Sequence, residues 1–137
     1  MKLRTRRKIE IGSEQGQSIT EFALALPILA LLLFAVIQFG IVFNNYVTLT
    51  DATRAGARKG AVARRLPNPV GSCVKAVQDS AGALSKKPGF NASCTPLSNW
   101  DPGSDVKVTA SYPYQISLLG MVVKSGTLSS TTTERVE

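Results

Sequence analysis

The sequence contains no histidine among its 137 residues. Histidine is the commonest general base and the commonest metal ligand, and the nine carboxylates are scattered rather than clustered. No glycine-rich phosphate-binding loop follows a strand pattern. The composition therefore argues against an enzyme, and we expect no catalytic, cofactor-binding or metal-binding residues.

Charged side chains are also missing from residues 22–43, FALALPILALLLFAVIQFGIVF, where Gln38 is the only strongly polar side chain. A helix of this length covers roughly 33 Å, about one hydrocarbon core. Only a helix satisfies its own backbone there, so the run predicts a transmembrane helix. A cleaved secretory signal is the alternative, but its apolar region is shorter, about 7–15 residues. A buried helix of a soluble protein is disfavoured because no other segment could surround it.

The net charge is +7, and the basic residues form two groups that bracket the apolar run. A basic chain can bind nucleic acid, but flanking basic groups favour lipid headgroups, so we expect a membrane lipid partner and no nucleic acid. The groups are Lys2, Arg4, Arg6, Arg7 and Lys8, then Arg54, Arg58, Lys59, Arg64 and Arg65. Five basic residues on each side leave the orientation undecided by counting alone.

The junction before the apolar run reads Gly16-Gln17-Ser18-Ile19-Thr20-Glu21-Phe22. Glu21 sits at the edge of a hydrophobic helix, where a carboxylate is costly. The simplest interpretation is that Glu21 lies among the headgroups and interacts favourably with the first helical turn. A second interpretation follows from a resemblance.

A basic leader, a glycine, a glutamate five residues later and about twenty apolar residues together resemble the processing site of type IV prepilins. The resemblance implies that a prepilin peptidase cuts between Gly16 and Gln17 on the cytoplasmic face. Glu21 would then be the fifth mature residue and would pair with the N-terminal amine of a neighbouring subunit. Such a pair relieves the cost of burying each charge.

Residues 16–60 further resemble the TadE/TadF-like family of pseudopilins, which assist assembly of the Flp pilus (fimbrium) and related secretion machines. The implied partners are other pilins and pseudopilins, the inner-membrane assembly platform and prepilin peptidase. Gln38 departs from the pattern, because an acidic residue is common there. The resemblance rests on Gly16-Gln17-Ser18, Glu21-Phe22-Ala23-Leu24, Leu26-Pro27, Phe39-Gly40 and the segment Ala52 to Arg58.

The helical pattern continues through residues 45–65, where Ala52, Gly56 and Gly60 recur every four residues and share one stripe. Small residues on a stripe let another backbone approach closely. The stripe could pack on this chain's own sheet or against neighbouring subunits. Pro67 and Pro69 are expected to end the helix.

The remaining sequence predicts a small α+β domain with a short helix and an antiparallel sheet. We expect the helix over residues 72–85, a loop over 90–104, and strands over 106–112, 114–119 and 126–136, the last at an edge. The predicted organisation is a cytoplasmic leader (1–16), a long pilin-like helix (17–65) and an extracytoplasmic domain (66–137).

Cys73 and Cys94 are the only cysteines. In an oxidising compartment we expect a disulfide, with reduced thiols as the alternative. Two cysteines without histidine cannot complete a zinc site. A bridge would fit a periplasmic or cell-surface domain and an N-terminus in the cytoplasm.

Two classes of function remain. The first is a membrane-anchored minor pilin, or pseudopilin, of the bacterial inner membrane that acts without turnover. The alternative is a single-pass membrane protein with a small ligand-binding or sensor domain outside the membrane.

Overall fold

The computed structural model describes the backbone of residues 13–118 and 120–137, and the side chains of residues 16–118 and 120–137. It is an α+β fold with a long apolar N-terminal helix, a second short helix and a three-stranded antiparallel sheet, as the sequence predicts. The elements are α1 (Ser13–Ala61), a 3-10 turn (Ala63–Arg65), α2 (Pro69–Ala81), a 3-10 turn (Gly82–Lys86), β1 (Asn91–Pro96), β2 (Asp105–Leu118) and β3 (Met121–Arg135).

The chain divides into two compact units, Met1–Val36 and Ile37–Glu137. The described part of the first unit is entirely helical and continues through Pro27, although proline supplies no backbone N–H. Its side chains are exposed all round. Four consecutive residues, Leu31 to Phe34, lie about 100° apart around the axis and are each 40–61% exposed. A helix that is apolar on every side needs an apolar surrounding.

Helix α2 begins three residues earlier than the sequence pattern predicts. Asn68 caps it, since the Asn68 side chain accepts a hydrogen bond of 2.8 Å from the backbone N–H of Gly71. Pro69 fits the first helical turn, where its missing N–H costs nothing. Asn68-Pro69 therefore starts a helix, and α2 proper ends at Ala81.

The sheet order is β1-β2-β3, which places the Thr- and Ser-rich β3 at an edge as predicted. The loop expected over residues 90–104 is wrong in its first part, because Asn91–Pro96 pairs with β2. The two strands expected around Pro113 are one continuous strand. Pro113 is tolerated because β1 reaches only to Ser111, so no neighbour on that side requires a donor. Leu119, placed in a predicted strand, lies outside the described residues.

The core of the second unit lies between the C-terminal part of α1, α2 and one face of β2. Alternate residues of β2, namely Val106, Val108 and Ala110, are fully buried, as the period of a strand requires. On α1 the buried side includes Leu49 and Ala52. The opposite side of this part of α1, which includes Val47, is not covered by the described residues of the second unit.

Candidate assembly site on helix α1

The processing junction predicted at Gly16, Gln17 and Glu21 lies within the helix α1. The side-chain amide of Gln17 donates a hydrogen bond of 3.0 Å to Oε1 of Glu21, and the Thr20 hydroxyl donates one of 2.9 Å to the backbone oxygen of Gly16. All four residues are exposed. The three predicted residues therefore lie together on accessible helix surface.

The Gly16–Gln17 peptide bond lies within α1 and is helical. Glycine weakens a helix by roughly 0.5–1 kcal/mol relative to alanine. A peptidase that needs an extended substrate could therefore open the helix at Gly16 more easily than at an alanine.

The carboxylate of Glu21 has a neutral partner in Gln17 rather than a cation. The two ion pairs recorded within the described part of the chain, Asp51–Arg54 and Asp105–Arg135, lie elsewhere. An added cation near the start of α1 could thus approach Glu21 without displacing a salt bridge.

The small-residue stripe of α1 is packed inside the second unit, against α2 and β2. A methyl group on Gly56 would touch Val77, Val108 and the backbone oxygen of Cys73, and one on Gly60 would lie 3.3–3.4 Å from Val106 and Cys73. Ala52 is fully buried as well. In this fold the stripe packs on α2 and β2, which corresponds to the first of the two interpretations.

Cys73 and Cys94 are joined by a disulfide with an S–S distance of 2.02 Å. It links α2 to β1, and both residues are buried. Within the described residues, no group of three or more histidine, cysteine or carboxylate side chains could hold a metal ion.

A groove of about 420 Å³ lies between α1 and the middle of β2. Gln38 and Asn45 line it from the helix, and Tyr112 and Tyr114 line it from the strand. Gln38 is half-buried, so the one polar residue of the predicted membrane run faces this chain's own domain. Sequence periodicity alone cannot identify this covering strand.

Sequence reasoning also missed a buried polar cluster formed by Thr53, Ser130 and Thr132. Oγ of Ser130 lies 3.2 Å from Oγ1 of Thr53, and the Thr132 hydroxyl donates a hydrogen bond of 3.0 Å to the same atom. The cluster ties α1 to the edge strand β3. One feature of the sequence could have indicated that Thr53 is buried. Thr53 lies four residues after Leu49 and three before Gly56, so it shares their side of the helix.

The model of the TadE-like protein family matches residues 16–58, which confirms the resemblance over this segment. The match includes Gly16, Gln17, Glu21 and Gly56, and ends before both cysteines. No curated protein and no solved structure matches the chain.

Of the described helices, only α1 is long and apolar enough to cross a membrane. Together with the family match, this helix indicates a membrane-anchored protein related to the Tad pilus. The TadE-like family comprises pilus-associated structural components, which associate with pilus assembly components, rather than known enzymes.

Proposed function

We propose that the chain is a pseudopilin that assists assembly of a Flp/Tad-type pilus or a related secretion apparatus. The observation that carries the proposal is the position of Glu21, an acidic side chain at the edge of a helix that is apolar and exposed on every side. A carboxylate at that position is costly unless it acquires a charged partner.

The partner would be the N-terminal ammonium of a neighbouring pilin subunit, set free when prepilin peptidase cuts its own leader. Two unit charges roughly 4 Å apart attract by roughly 4 kcal/mol at an effective dielectric constant of about 20. Burial without the partner would cost several kcal/mol, so pairing selects one register between the two helices. To form this ion pair, Glu21 loses only its hydrogen bond from the neutral side-chain amide of Gln17.

The apolar surface of α1 before Ile37 supplies the second element of the proposal. Its exposed leucine and phenylalanine side chains would contact lipid in the free subunit and the helices of other pilins in the assembly. The stripe containing Gly56 is already occupied by α2 and β2, so it does not serve as this intersubunit surface.

In the proposed organisation, residues 1–16 form a cytoplasmic leader and residues 17–65 a helix that crosses the inner membrane. Residues 66–137 form the periplasmic or cell-surface domain. The buried Cys73–Cys94 bridge supports this orientation, because disulfides persist in oxidising compartments. The assembly platform in the inner membrane would receive the subunit through its membrane helix.

Cleavage is tested by N-terminal sequencing and intact mass of the protein extracted from membranes, with and without a co-expressed prepilin peptidase. We expect the mature chain to start at Gln17 only when the peptidase is present. Met1 retained in the presence of an active peptidase would contradict the processing step. A reporter that places Glu137 in the cytosol would contradict the orientation.

A further inference from the structure

The end of the β2–β3 hairpin carries an apolar group that no part of the described chain covers. Met121, Val122 and Val123 are consecutive and are 69%, 58% and 61% exposed. Leu118 pairs with Met121 at the turn, where Gly120 has a φ of +84° that favours glycine. Exposed apolar groups of this kind mark contact surfaces.

The two faces of the hairpin are both apolar at this end. Successive side chains of a strand point to opposite faces, so Met121 and Val122 lie on different sides. Val123 is the extra residue at the register shift opposite Ile116 and Ser117, and such a bulge bends the strand. A single protein surface would cover one face, whereas a fluid apolar medium covers both.

The opposite end of the same pair of strands is charged. Asp105 and Arg135 are cross-strand partners there and form an ion pair of 3.9 Å. Between the two ends, β3 carries mainly serine and threonine. Polarity therefore changes along the hairpin, from apolar at the turn to charged at the opposite end.

The apolar end lies in a definite direction relative to the part of α1 within the second unit. Val106 of β2 lies beside Gly60, Val108 lies beside Gly56, and Tyr114 shares a groove with Gln38. The strand thus runs antiparallel to the helix. It continues four residues past Tyr114, roughly 13 Å at about 3.3 Å per residue.

That direction leads to the exposed apolar residues at the start of this unit's helix. Ile37, Phe39, Ile41 and Phe43 are 49–66% exposed and belong to the predicted membrane run. The hairpin end and these helix residues therefore occupy the same end of the second unit. A bilayer that surrounds these helix residues would therefore also lie next to the hairpin end.

We propose that the hairpin end, Leu118 with Met121–Val123, inserts into the boundary between headgroups and acyl chains of the bilayer that α1 spans. This inference rests on membrane anchorage by α1 and not on the role in pilus assembly. Its occupant is lipid, because the apolar surface is two-sided and lies at the same end of the second unit as the exposed apolar residues Ile37 to Phe43.

The depth of insertion is limited by the backbone of β3. As an edge strand, β3 leaves one row of N–H and C=O groups unpaired with protein, and these groups are costly in hydrocarbon. Lys124 follows directly, and its ammonium can reach lipid phosphates while its stem stays among apolar groups. Insertion thus stops at the interface.

The test uses the full chain in phosphatidylcholine–phosphatidylglycerol vesicles, with an environment-sensitive fluorophore on a single introduced cysteine and the native disulfide intact. Spin-labelled lipids, with the label near the carbonyl end of the acyl chain, act as quenchers. We expect Val122→Cys to lose fluorescence with these lipids. The matched control, Thr133→Cys, is exposed on the same strand beside the charged end and should keep its fluorescence. Adding Met121→Glu and Val123→Glu should abolish the quenching at residue 122.

A third label, Leu32→Cys, reports anchorage by α1, and its quenchers carry the spin label near the methyl end of the acyl chain, because residue 32 lies at the middle of the apolar run. Quenching at residue 32 without quenching at residue 122 overturns the proposal and leaves anchorage intact. A label at residue 122 that is unquenched by lipid yet shielded from aqueous iodide also overturns it, in favour of contact with a second copy. Loss of quenching at both positions overturns anchorage and insertion together.

Discussion

Gly56 of α1 lies against Val77 of α2 with no room for a methyl group between them, since a Cβ atom on Gly56 would overlap Cγ2 of Val77. Val77 is fully buried, so it cannot swing into solvent. The same Cβ atom would also lie 3.3 Å from Cγ1 of Val108 on β2. Gly56 is thus a point where two helices and the sheet pack closely together.

We expect Gly56→Ala to destabilise the second unit. Overpacking in a filled core costs about 1–3 kcal/mol, while replacing a helical glycine with alanine returns roughly 0.5–1 kcal/mol. The net effect should be a lower Tm for the full chain in detergent, measured by circular dichroism. Gly60→Ala is the graded control, because its Cβ would meet neighbours at 3.3–3.4 Å, and its loss should be smaller. Equal Tm values for Gly56→Ala and the parent would contradict the packing described.

The hydroxyl of Thr53 carries the second prediction. It donates its single proton to the backbone oxygen of Thr50 at 2.9 Å, so Ser130 and Thr132 must both donate to its oxygen. Thr53→Val keeps the shape of the side chain and removes this acceptor. We expect a loss of about 1–3 kcal/mol in the free energy of unfolding by urea, because the buried Ser130 hydroxyl loses its partner.

A double-mutant cycle separates this effect from simple packing. Removing both polar partners costs less than orphaning one of them. Thr53→Val combined with Ser130→Ala should therefore be less destabilised than the sum of the two single variants. Strictly additive losses would show that the cluster contributes nothing as a hydrogen-bonded unit.

The features predictable from sequence are the ones set by local pattern. The apolar run gives the membrane-type helix, and the Thr- and Ser-rich tail gives the edge strand. Strand β1 is not predictable in this way, because Asn91-Ala92-Ser93 has weak strand preference. Its conformation comes from pairing with β2 and from the link of Cys94 to α2. The sequence likewise marks Gly56 as small but does not say what approaches it.

The disulfide should stabilise the second unit measurably. The bridge closes a loop with a sequence separation of 21 residues, for which the loop-entropy model gives about 3 kcal/mol. We expect the Cys73→Ser/Cys94→Ser variant to melt at a lower temperature than the oxidised parent. Because both cysteines are buried, reductant should act slowly unless denaturant is added. Two alkylatable thiols in the untreated, denatured parent would show that the bridge does not form.

The role proposed for Glu21 gives the last prediction. Glu21→Gln preserves the size of the side chain and its ability to bond Gln17, but a neutral amide cannot attract an ammonium group. Membrane insertion and cleavage after Gly16 should persist, since a neutral side chain is cheaper in lipid. Co-purification with other pilins from detergent extracts should fall sharply, consistent with loss of an attraction of roughly 4 kcal/mol.

Thr20→Val is the matched control for that experiment. It changes the adjacent residue and removes only the hydrogen bond to the Gly16 backbone oxygen, so pilin capture should be unchanged. If Glu21→Gln captured pilins as well as the parent, the carboxylate would be a headgroup-level residue that serves only the first turn of the helix. If it failed to insert or to be cleaved, Glu21 would act before assembly rather than in it.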